Sequence, residues 1–166
     1  MRAPDDAALR RHLDVLRLIV QRLAGSDVIW AVTGSLGCRL QGVPVQPHDI
    51  DIASDARVYE IVRRLAEFVR RPVAFCATER IRSHLGALET HGLQVEIMGG
   101  VEMRGADGAW VASDPRARRF VPVAGLMVPV LSLEAECAAY LRLGRTARAQ
   151  MLREWLATHA DEGSET

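Results

Sequence analysis

The chain has 166 residues, of which 49% are apolar and 25% charged, the ordinary composition of one packed domain. Its 21 basic and 21 acidic residues cancel, so no net positive charge favours a nucleic acid or an anionic membrane as partner. All 21 basic residues are arginine, which excludes Schiff-base catalysis, lysyl-adenylate ligation and Walker-A phosphate binding, because each needs a lysine amine.

Localisation and redox state follow from the same composition. The N-terminus has no hydrophobic signal core, and the longest apolar run, 125–133, is interrupted by Pro129 and Ser132. We therefore expect a cytoplasmic protein without a membrane partner. The three cysteines form no CxxC pair and lie in apolar surroundings, which predicts buried, reduced thiols at Cys38, Cys76 and Cys137.

The first third of the chain alternates between helices and strands. Apolar residues at steps of three and four predict an amphipathic helix from about Asp6 to Ala24. The apolar run Val28–Thr33 predicts a buried strand, which Gly34-Ser35 interrupts before a short helix over Leu36–Gln41. Polar and apolar residues then alternate in His48–Ala53, the pattern of a strand with one face in the core.

The middle of the chain reads as one helix followed by several strands. An apolar stripe predicts a second helix from Val58 to Val69, ended by Pro72, and a short strand over Val73–Ala77. The runs Leu85–Thr90 and Leu93–Met98 predict a hairpin with a two-residue turn between them.

The turn of this hairpin is His91-Gly92, and Gly99-Gly100 is expected to close the hairpin. Short strands and loops follow over 101–130, and two helices are expected at Ser132–Leu143 and Thr146–Thr158.

This order of elements predicts a single α/β (α+β) domain over 1–166. It has a mixed β-sheet flanked by helices. The core spans about 1–130, and a C-terminal helix pair forms a short helical appendage over about 132–158.

Two carboxylates share one face of a predicted strand in Asp49-Ile50-Asp51-Ile52. Because side chains two apart point the same way, Ile50 and Ile52 enter the core while Asp49 and Asp51 emerge together on the other face. Two neighbouring carboxylates repel each other unless a cation lies between them. Mg²⁺ is the natural partner, since it prefers hard oxygen ligands and completes its shell with phosphate oxygens.

A third acidic residue, Glu96, lies between Val95 and Ile97 in a predicted strand. With the turn placed at His91-Gly92, Glu96 lies opposite Ala87, whose small side chain leaves space. A carboxylate there is suited to hold a second metal or to take a proton from an attacking hydroxyl. Taken singly, acidic residues on strands are most often merely solvated.

The Gly34-Ser35 pair follows a buried strand and precedes a short helix. Backbone amides and a hydroxyl at such a place are suited to bind a phosphate group, and glycine lets the backbone approach closely. Arg39 lies one helical turn further on, where it could reach a triphosphate or be an ordinary surface arginine.

Together these residues resemble the DNA polymerase β-type nucleotidyltransferase superfamily. The shared pattern is Gly34-Ser35, then thirteen residues, then Asp49-Ile50-Asp51-Ile52, then the later carboxylate in Val95-Glu96-Ile97. The resemblance spans about residues 29–98. It is similar above all to the small stand-alone members, among them the lincosamide and aminoglycoside nucleotidyltransferases and the minimal nucleotidyltransferases.

The resemblance implies metal-dependent transfer of a nucleoside monophosphate, AMP by expectation, from an NTP to a hydroxyl acceptor with release of pyrophosphate. Asp49 and Asp51 would bind two Mg²⁺ ions, for which Mn²⁺ can substitute, and Glu96 would complete the second site and favour deprotonation of the acceptor. Gly34 and Ser35 would hold the β- and γ-phosphates of ATP, with Arg39 as a further contact.

Two other readings stay open. The same fold could serve as a non-catalytic nucleotide-binding or toxin–antitoxin-type regulatory module, or the acids could be incidental to a structural protein. The acceptor is not identified by the sequence. A small molecule is favoured over a nucleic acid, and a homodimer or partner subunit is one way to complete its recognition.

Overall fold

The computed structural model describes residues 6–160. Its helices and strands form one mixed sheet with helices around it. In chain order these elements are α1 (Asp6–Leu23), β1 (Trp30–Thr33), α2 (Gly34–Leu40), β2 (Ile50–Ser54), α3 (Val58–Arg64), β3 (Val69–Ala77), β4 (Ile81–Thr90), β5 (Leu93–Arg104), β6 (Trp110–Ala112), β7 (Arg118–Val123), β8 (Leu126–Leu131), α4 (Leu133–Arg142) and α5 (Thr146–His159).

The strands are ordered β3-β4-β5-β2-β1-β8-β7, and β6 pairs with β5. The pairs β2–β5 and β1–β8 are parallel, whereas the other pairs are antiparallel. The predicted mixed sheet with flanking helices is thereby confirmed. β2, which carries the Asp-Ile-Asp-Ile motif from Ile50 onward, lies at the centre of the sheet, where the positions of its side chains are set by a neighbour on each side.

The two faces of the sheet are used differently. Val95 and Ile97 are completely buried and belong to the main core, together with apolar residues of α1 and α3. The alternating residues Glu96 and Met98 point to the other face and line a cavity there. A second, smaller core joins α4 and α5 to the end of α2 through Cys38, Val43, Leu133, Cys137, Tyr140, Ala149 and Leu152.

The β4–β5 hairpin has the predicted two-residue turn. Thr90 pairs with Leu93, and both His91 and Gly92 have positive φ, as a tight turn of this twist requires. The prediction that Gly99-Gly100 closes the hairpin is wrong. β5 continues through both glycines to Arg104, and Gly99 is the point at which α3 packs directly against the strand.

The predicted helix from Val58 to Val69 is too long. α3 ends at Arg64, a 3-10 turn covers 66–68, and Val69 already begins β3. The apolar residues after Arg64 also pack against the core, but they do so from the 3-10 turn and from β3. Their spacing alone therefore placed the end of the helix too late. Pro72 lies inside β3 instead of ending a helix. It is tolerated there because β3 is at the edge of the sheet.

The cysteines are free thiols, and two of them fit the prediction. Cys38 and Cys137 are buried, whereas Cys76 is exposed on edge strand β3, so the expectation of a third buried thiol is wrong. Within 6–160, no helix is both long and apolar enough to cross a bilayer.

Replacing Gly99 by alanine is expected to destabilise the fold by about 2 kcal/mol, the usual cost of overpacking. A β-carbon at Gly99 would lie 2.4 Å from Val58 Cβ and 3.1 Å from the Asp55 carbonyl oxygen. Urea unfolding of Gly99→Ala measures this cost. A Val58→Gly background removes the nearer of these two obstructions, so the same substitution should cost less there; equal costs in the two backgrounds would contradict the packing argument.

Candidate active site

Asp51 lies at the centre of the candidate site, between two strands that carry other predicted site residues. It pairs with Thr33 of β1 on one side and with Glu96 of β5 on the other. Gly34 follows Thr33 directly, with a φ of 69° that favours glycine. A β-carbon at Gly34 would lie 2.6 Å from Asp51 Oδ2, so only glycine allows the turn and the carboxylate to approach this closely.

The carboxylates influence one another through space. Burial and, to a smaller extent, the charges of Glu96 and Asp49 together raise the pKa of Asp51 to about 6, while Arg145 acts in the opposite direction. Asp49 itself is exposed, one residue before β2 begins. The structure therefore brings Asp49, Asp51 and Glu96 into one electrostatic neighbourhood, in which a cation would relieve the repulsion.

The chemistry of these donors fits Mg²⁺, although they do not form a finished cage. In the part of the chain that the structure describes, no three His, Cys, Asp or Glu side chains are grouped closely enough to hold a metal by themselves. Glu96 instead faces the guanidinium of Arg71 on β3, with 3.7 Å between Arg71 Nη2 and Glu96 Oε2. Mg²⁺ characteristically binds through one or two carboxylates plus substrate phosphates, so an incomplete cage of hard oxygens suits it.

Glu136 of α4 is a site residue that the sequence analysis missed. Only 3% of it is exposed, yet it lies at the turn between β1 and α2. Its Oε1 accepts a hydrogen bond from the Gly34 amide at 2.8 Å and another from the Thr33 hydroxyl. Burial raises the pKa of Glu136 to about 7 in spite of these two hydrogen bonds.

A signal for Glu136 was present in the sequence. The buried side of α4 is formed by Leu133, Cys137 and Tyr140, and Glu136 lies on the same side, one turn after Leu133. An acidic residue in the apolar stripe of a helix requires a polar partner elsewhere in the fold. Which partner it has depends on packing between residues about a hundred positions apart.

A cavity of about 690 Å³ opens in front of these residues. Gly34, Ser35, Asp51 and Glu96 all line it, so four of the predicted site residues share one space. Arg145 and Arg148, at the start of α5, reach the same cavity and had not been singled out from the sequence.

Arg39 is placed differently from the other predicted phosphate contacts. It is absent from the lining of the cavity, and its Nε is buried without a hydrogen-bond partner among the described residues. The Gly34 amide is also engaged, since it donates to Glu136. An anion in the cavity would therefore meet Ser35, Arg145 and Arg148 first.

Comparison with known proteins identifies the family of the chain. The family model for aminoglycoside-2''-adenylyltransferase matches residues 15–155. A crystal structure of a Thermotoga maritima protein, provisionally described as a nucleotidyltransferase, is 49% identical and has a TM-score of 0.77. The match covers 90% of this chain and 94% of that one.

Two further solved structures share the fold at low identity. ANT(2'')-Ia in complex with adenylyl-2''-tobramycin has a TM-score of 0.59 at 14% identity, covering 91% of this chain and 92% of that chain. The lincosamide antibiotic adenylyltransferase LnuA, bound to lincomycin, has a TM-score of 0.50 at 14% identity, covering 92% and 98%. Among curated proteins, none matches the chain.

The variant Glu136→Gln should remove a pH dependence of stability. Between pH 4.5 and about 7 the folded protein keeps a proton on Glu136 that the unfolded chain has released. This contribution is complete below pH 4.5 and is lost as pH rises through 7. The free energy of unfolding of the wild type should therefore fall between pH 4 and pH 8 by up to about 3 kcal/mol more than that of the variant.

Chemical denaturation of the metal-free protein across this pH range measures the effect. Glu134→Gln, at an exposed position on the same helix, is the matched control and should follow the wild type. Asp51 contributes a slope of the same sign to all three proteins, so only the difference between curves is diagnostic. Parallel curves for Glu136→Gln and the wild type would contradict the assignment.

Proposed function

The chain belongs to the aminoglycoside-2''-adenylyltransferase family and is a nucleotidyltransferase, and from this premise we propose that it transfers AMP from ATP to a hydroxyl of a small-molecule acceptor, with Mg²⁺. The relatives named above include adenylyltransferases of tobramycin and lincosamides, which supports ATP as the donor and a small molecule as the acceptor.

One observation carries the proposal. Strand register puts Asp51 between Thr33, where the Gly34-Ser35 turn begins, and Glu96. A turn suited to phosphate thus lies against the carboxylates suited to metal, on the open face of the sheet. Phosphoryl-group transfer needs this combination, because its catalysis is mainly positioning and neutralisation of charge around phosphorus.

Asp49, Asp51 and Glu96 are the residues that would hold two Mg²⁺ ions, or Mn²⁺ in their place. When bound, the ions neutralise the triphosphate and make the α-phosphorus easier to attack. The raised pKa of Asp51 supports this assignment, since burial and the neighbouring carboxylates outweigh the opposing charge of Arg145. For Glu96 to bind a metal ion, its contact with the guanidinium of Arg71 has to break.

Gly34 and Ser35 are the proposed contacts of the β- and γ-phosphates. Gly34 contributes close approach, while Ser35, the second residue of α2, offers its hydroxyl and its own backbone amide. Arg145 and Arg148 are the guanidinium groups best placed to meet a triphosphate, as both line the cavity. Arg39, the arginine chosen from the sequence, remains a prediction that the same experiment can test.

The reaction is a displacement at the α-phosphorus. The acceptor oxygen forms a bond to that phosphorus, the bond to the bridging β-phosphate oxygen breaks, and pyrophosphate leaves with the electron pair. Glu96 is the proposed acceptor of the hydroxyl proton, which then passes to solvent. Glu136 is proposed to hold the Gly34 turn in position through its hydrogen bond from the Gly34 amide.

Asp51→Asn should lower transfer and raise stability at the same time. Loss of the carboxylate is expected to reduce pyrophosphate release by about 10³-fold or more, because charge at phosphorus is no longer neutralised. In the metal-free protein at pH 8 the variant should be more stable by about 1–3 kcal/mol, because one of the crowded charges is gone.

Pyrophosphate release and thermal melting, each with and without Mn²⁺, measure the two effects. Asp114→Asn changes an exposed carboxylate that pairs with Arg116 and should leave both unchanged. The metal should stabilise the wild type and not Asp51→Asn. Unchanged transfer in Asp51→Asn would disprove the catalytic assignment. Tight ATP binding without turnover across a panel of acceptors would instead favour a nucleotide-binding module.

Arg148→Gln should raise the KM for ATP about tenfold with a smaller change in kcat, since a charge-assisted phosphate contact is lost. Arg39→Gln is the matched comparison: it removes an arginine that does not line the cavity. Steady-state kinetics with a fixed acceptor measure the KM for ATP and the kcat of both variants. A larger KM effect for Arg39→Gln would restore the assignment made from the sequence.

A further inference from the structure

One row of paired residues crosses five strands of the sheet and passes through the candidate site. Thr33 pairs with Asp51, and Asp51 pairs with Glu96. The row continues beyond the site, because Glu96 pairs with Ala87 of β4 and Ala87 pairs with Arg71 of β3. Directly opposed residues of neighbouring strands project to the same face of a sheet, so the row of site residues ends in a guanidinium on the edge strand.

Ala87 leaves the space through which Arg71 reaches Glu96. Neighbouring strands lie about 4.8 Å apart, so the backbones of β3 and β5 are about 10 Å from each other across β4. An arginine and a glutamate side chain together span that distance, and Arg71 Nη2 lies 3.7 Å from Glu96 Oε2. A long side chain at Ala87, on the same face and between them, would separate the two charged groups.

The edge strand β3 is irregular on both sides of Arg71. Its register against β4 shifts between Val69 and Arg71 and again between Arg71 and Ala74. Gly86 of β4 allows a close approach here, because a β-carbon on it would lie 2.7 Å from Val73 Cγ2 and 3.1 Å from the Arg71 carbonyl oxygen. Irregularities of this kind turn a side chain in a new direction and are frequent beside active sites.

The Arg71–Glu96 pair is too weak to be needed for folding. The two side chains are 55% and 33% exposed, and ion pairs at such positions change an equilibrium constant by about fivefold at most. The neighbouring pair of Arg70 and Glu89 has a similar separation of 3.6 Å, but neither of its residues lines the cavity. Arg71 differs in its partner, which is a carboxylate of the cavity.

A guanidinium and a metal ion compete for the charge of Glu96. Both are attracted by the same carboxylate, whose Oε2 is the atom nearest to Arg71. A divalent ion bound to Glu96 would bring two positive charges to within a few ångströms of the guanidinium, and like charges at that distance disfavour each other. Binding of the one therefore opposes binding of the other.

We propose that Arg71 is a positioning residue of the metal site: it holds Glu96 in the metal-free protein and competes with the metal ion for this carboxylate. The inference rests on the proposed function, in which Glu96 is a metal ligand. Metal binding then exchanges one ionic contact for another, because the guanidinium returns to solvent and no covalent bond changes. Since the competition lowers the affinity for metal alone, phosphate oxygens of the nucleotide are needed before the ion at Glu96 is held tightly.

Binding of Mn²⁺ without nucleotide tests the competition, measured by the electron paramagnetic resonance signal of the free ion. One bound Mn²⁺ ion depends on Glu96 and is identified by its absence in Glu96→Gln. The Kd of that ion should be about fivefold lower in Arg71→Gln than in the wild type. Arg71→Met keeps an unbranched side chain without the charge and should match Arg71→Gln, whereas Arg71→Lys keeps the charge and should stay near the wild type.

Arg70→Gln is the matched control, since it removes one positive charge from the adjacent position of the same strand. It should change the Kd by less than about twofold, because solvent and salt screen an exposed charge outside the cavity. In a Glu96→Gln background, Arg71→Gln should have no further effect on the remaining Mn²⁺ binding, because the shared carboxylate is gone. An unchanged or higher Kd in Arg71→Gln, or an equal gain in Arg70→Gln, would overturn the proposal.

Failure of this inference and failure of the proposed function give different results. If Mn²⁺ binding depends on Asp51 and Glu96 but not on Arg71, the metal site stands and Arg71 has no part in it. Binding that Glu96→Gln leaves intact would remove Glu96 from the metal site and overturn the inference as well. If Mn²⁺ binds neither alone nor with a non-hydrolysable ATP analogue, the proposed function fails and the inference with it.

Discussion

The crowding of carboxylates around Asp51 is the constraint on which the rest of the site depends. A central strand presents this side chain between Gly34 on one neighbour and Glu96 on the other, so negative charge is concentrated where it is partly removed from water. Such an arrangement costs stability in the metal-free chain, as the raised pKa of Asp51 indicates. In the function proposed above, the same concentration of charge would bind a divalent cation with its triphosphate.

The C-terminal helix pair belongs to this site as much as the sheet does. Glu136 extends from α4 to the backbone of the Gly34 turn and to Thr33, and two arginines at the start of α5 complete the cavity. The turn is thus held from the side of the appendage, through a buried acid whose partners lie about a hundred residues earlier. A site assembled in this way couples the position of the helices to the position of the turn, because neither can shift without breaking buried hydrogen bonds.

The cavity is lined by two chemically different sets of residues. Gly34, Ser35, Asp51 and Glu96 are the ones that the proposed function assigns to phosphate and metal. Residues of β4 and β5 in the same lining, among them Leu85, Met98 and Met103, are apolar.

The sequence by itself determined the fold class, the β4–β5 turn and the opposition of Ala87 and Glu96, because these depend on local periodicity and turn chemistry. It also singled out Asp49, Asp51 and Glu96, whose catalytic and metal roles stay predictions. Where α3 ends, how far β5 runs and where Cys76 lies were decided by packing: an apolar stripe suits a helix, a turn or a strand equally until its neighbours are known. Glu136 stood out locally as an acid in an apolar stripe, but its partners at Thr33 and Gly34, and the approach of Arg145 and Arg148 to the cavity, were decided by tertiary packing, because contacts between residues about a hundred positions apart leave no local pattern.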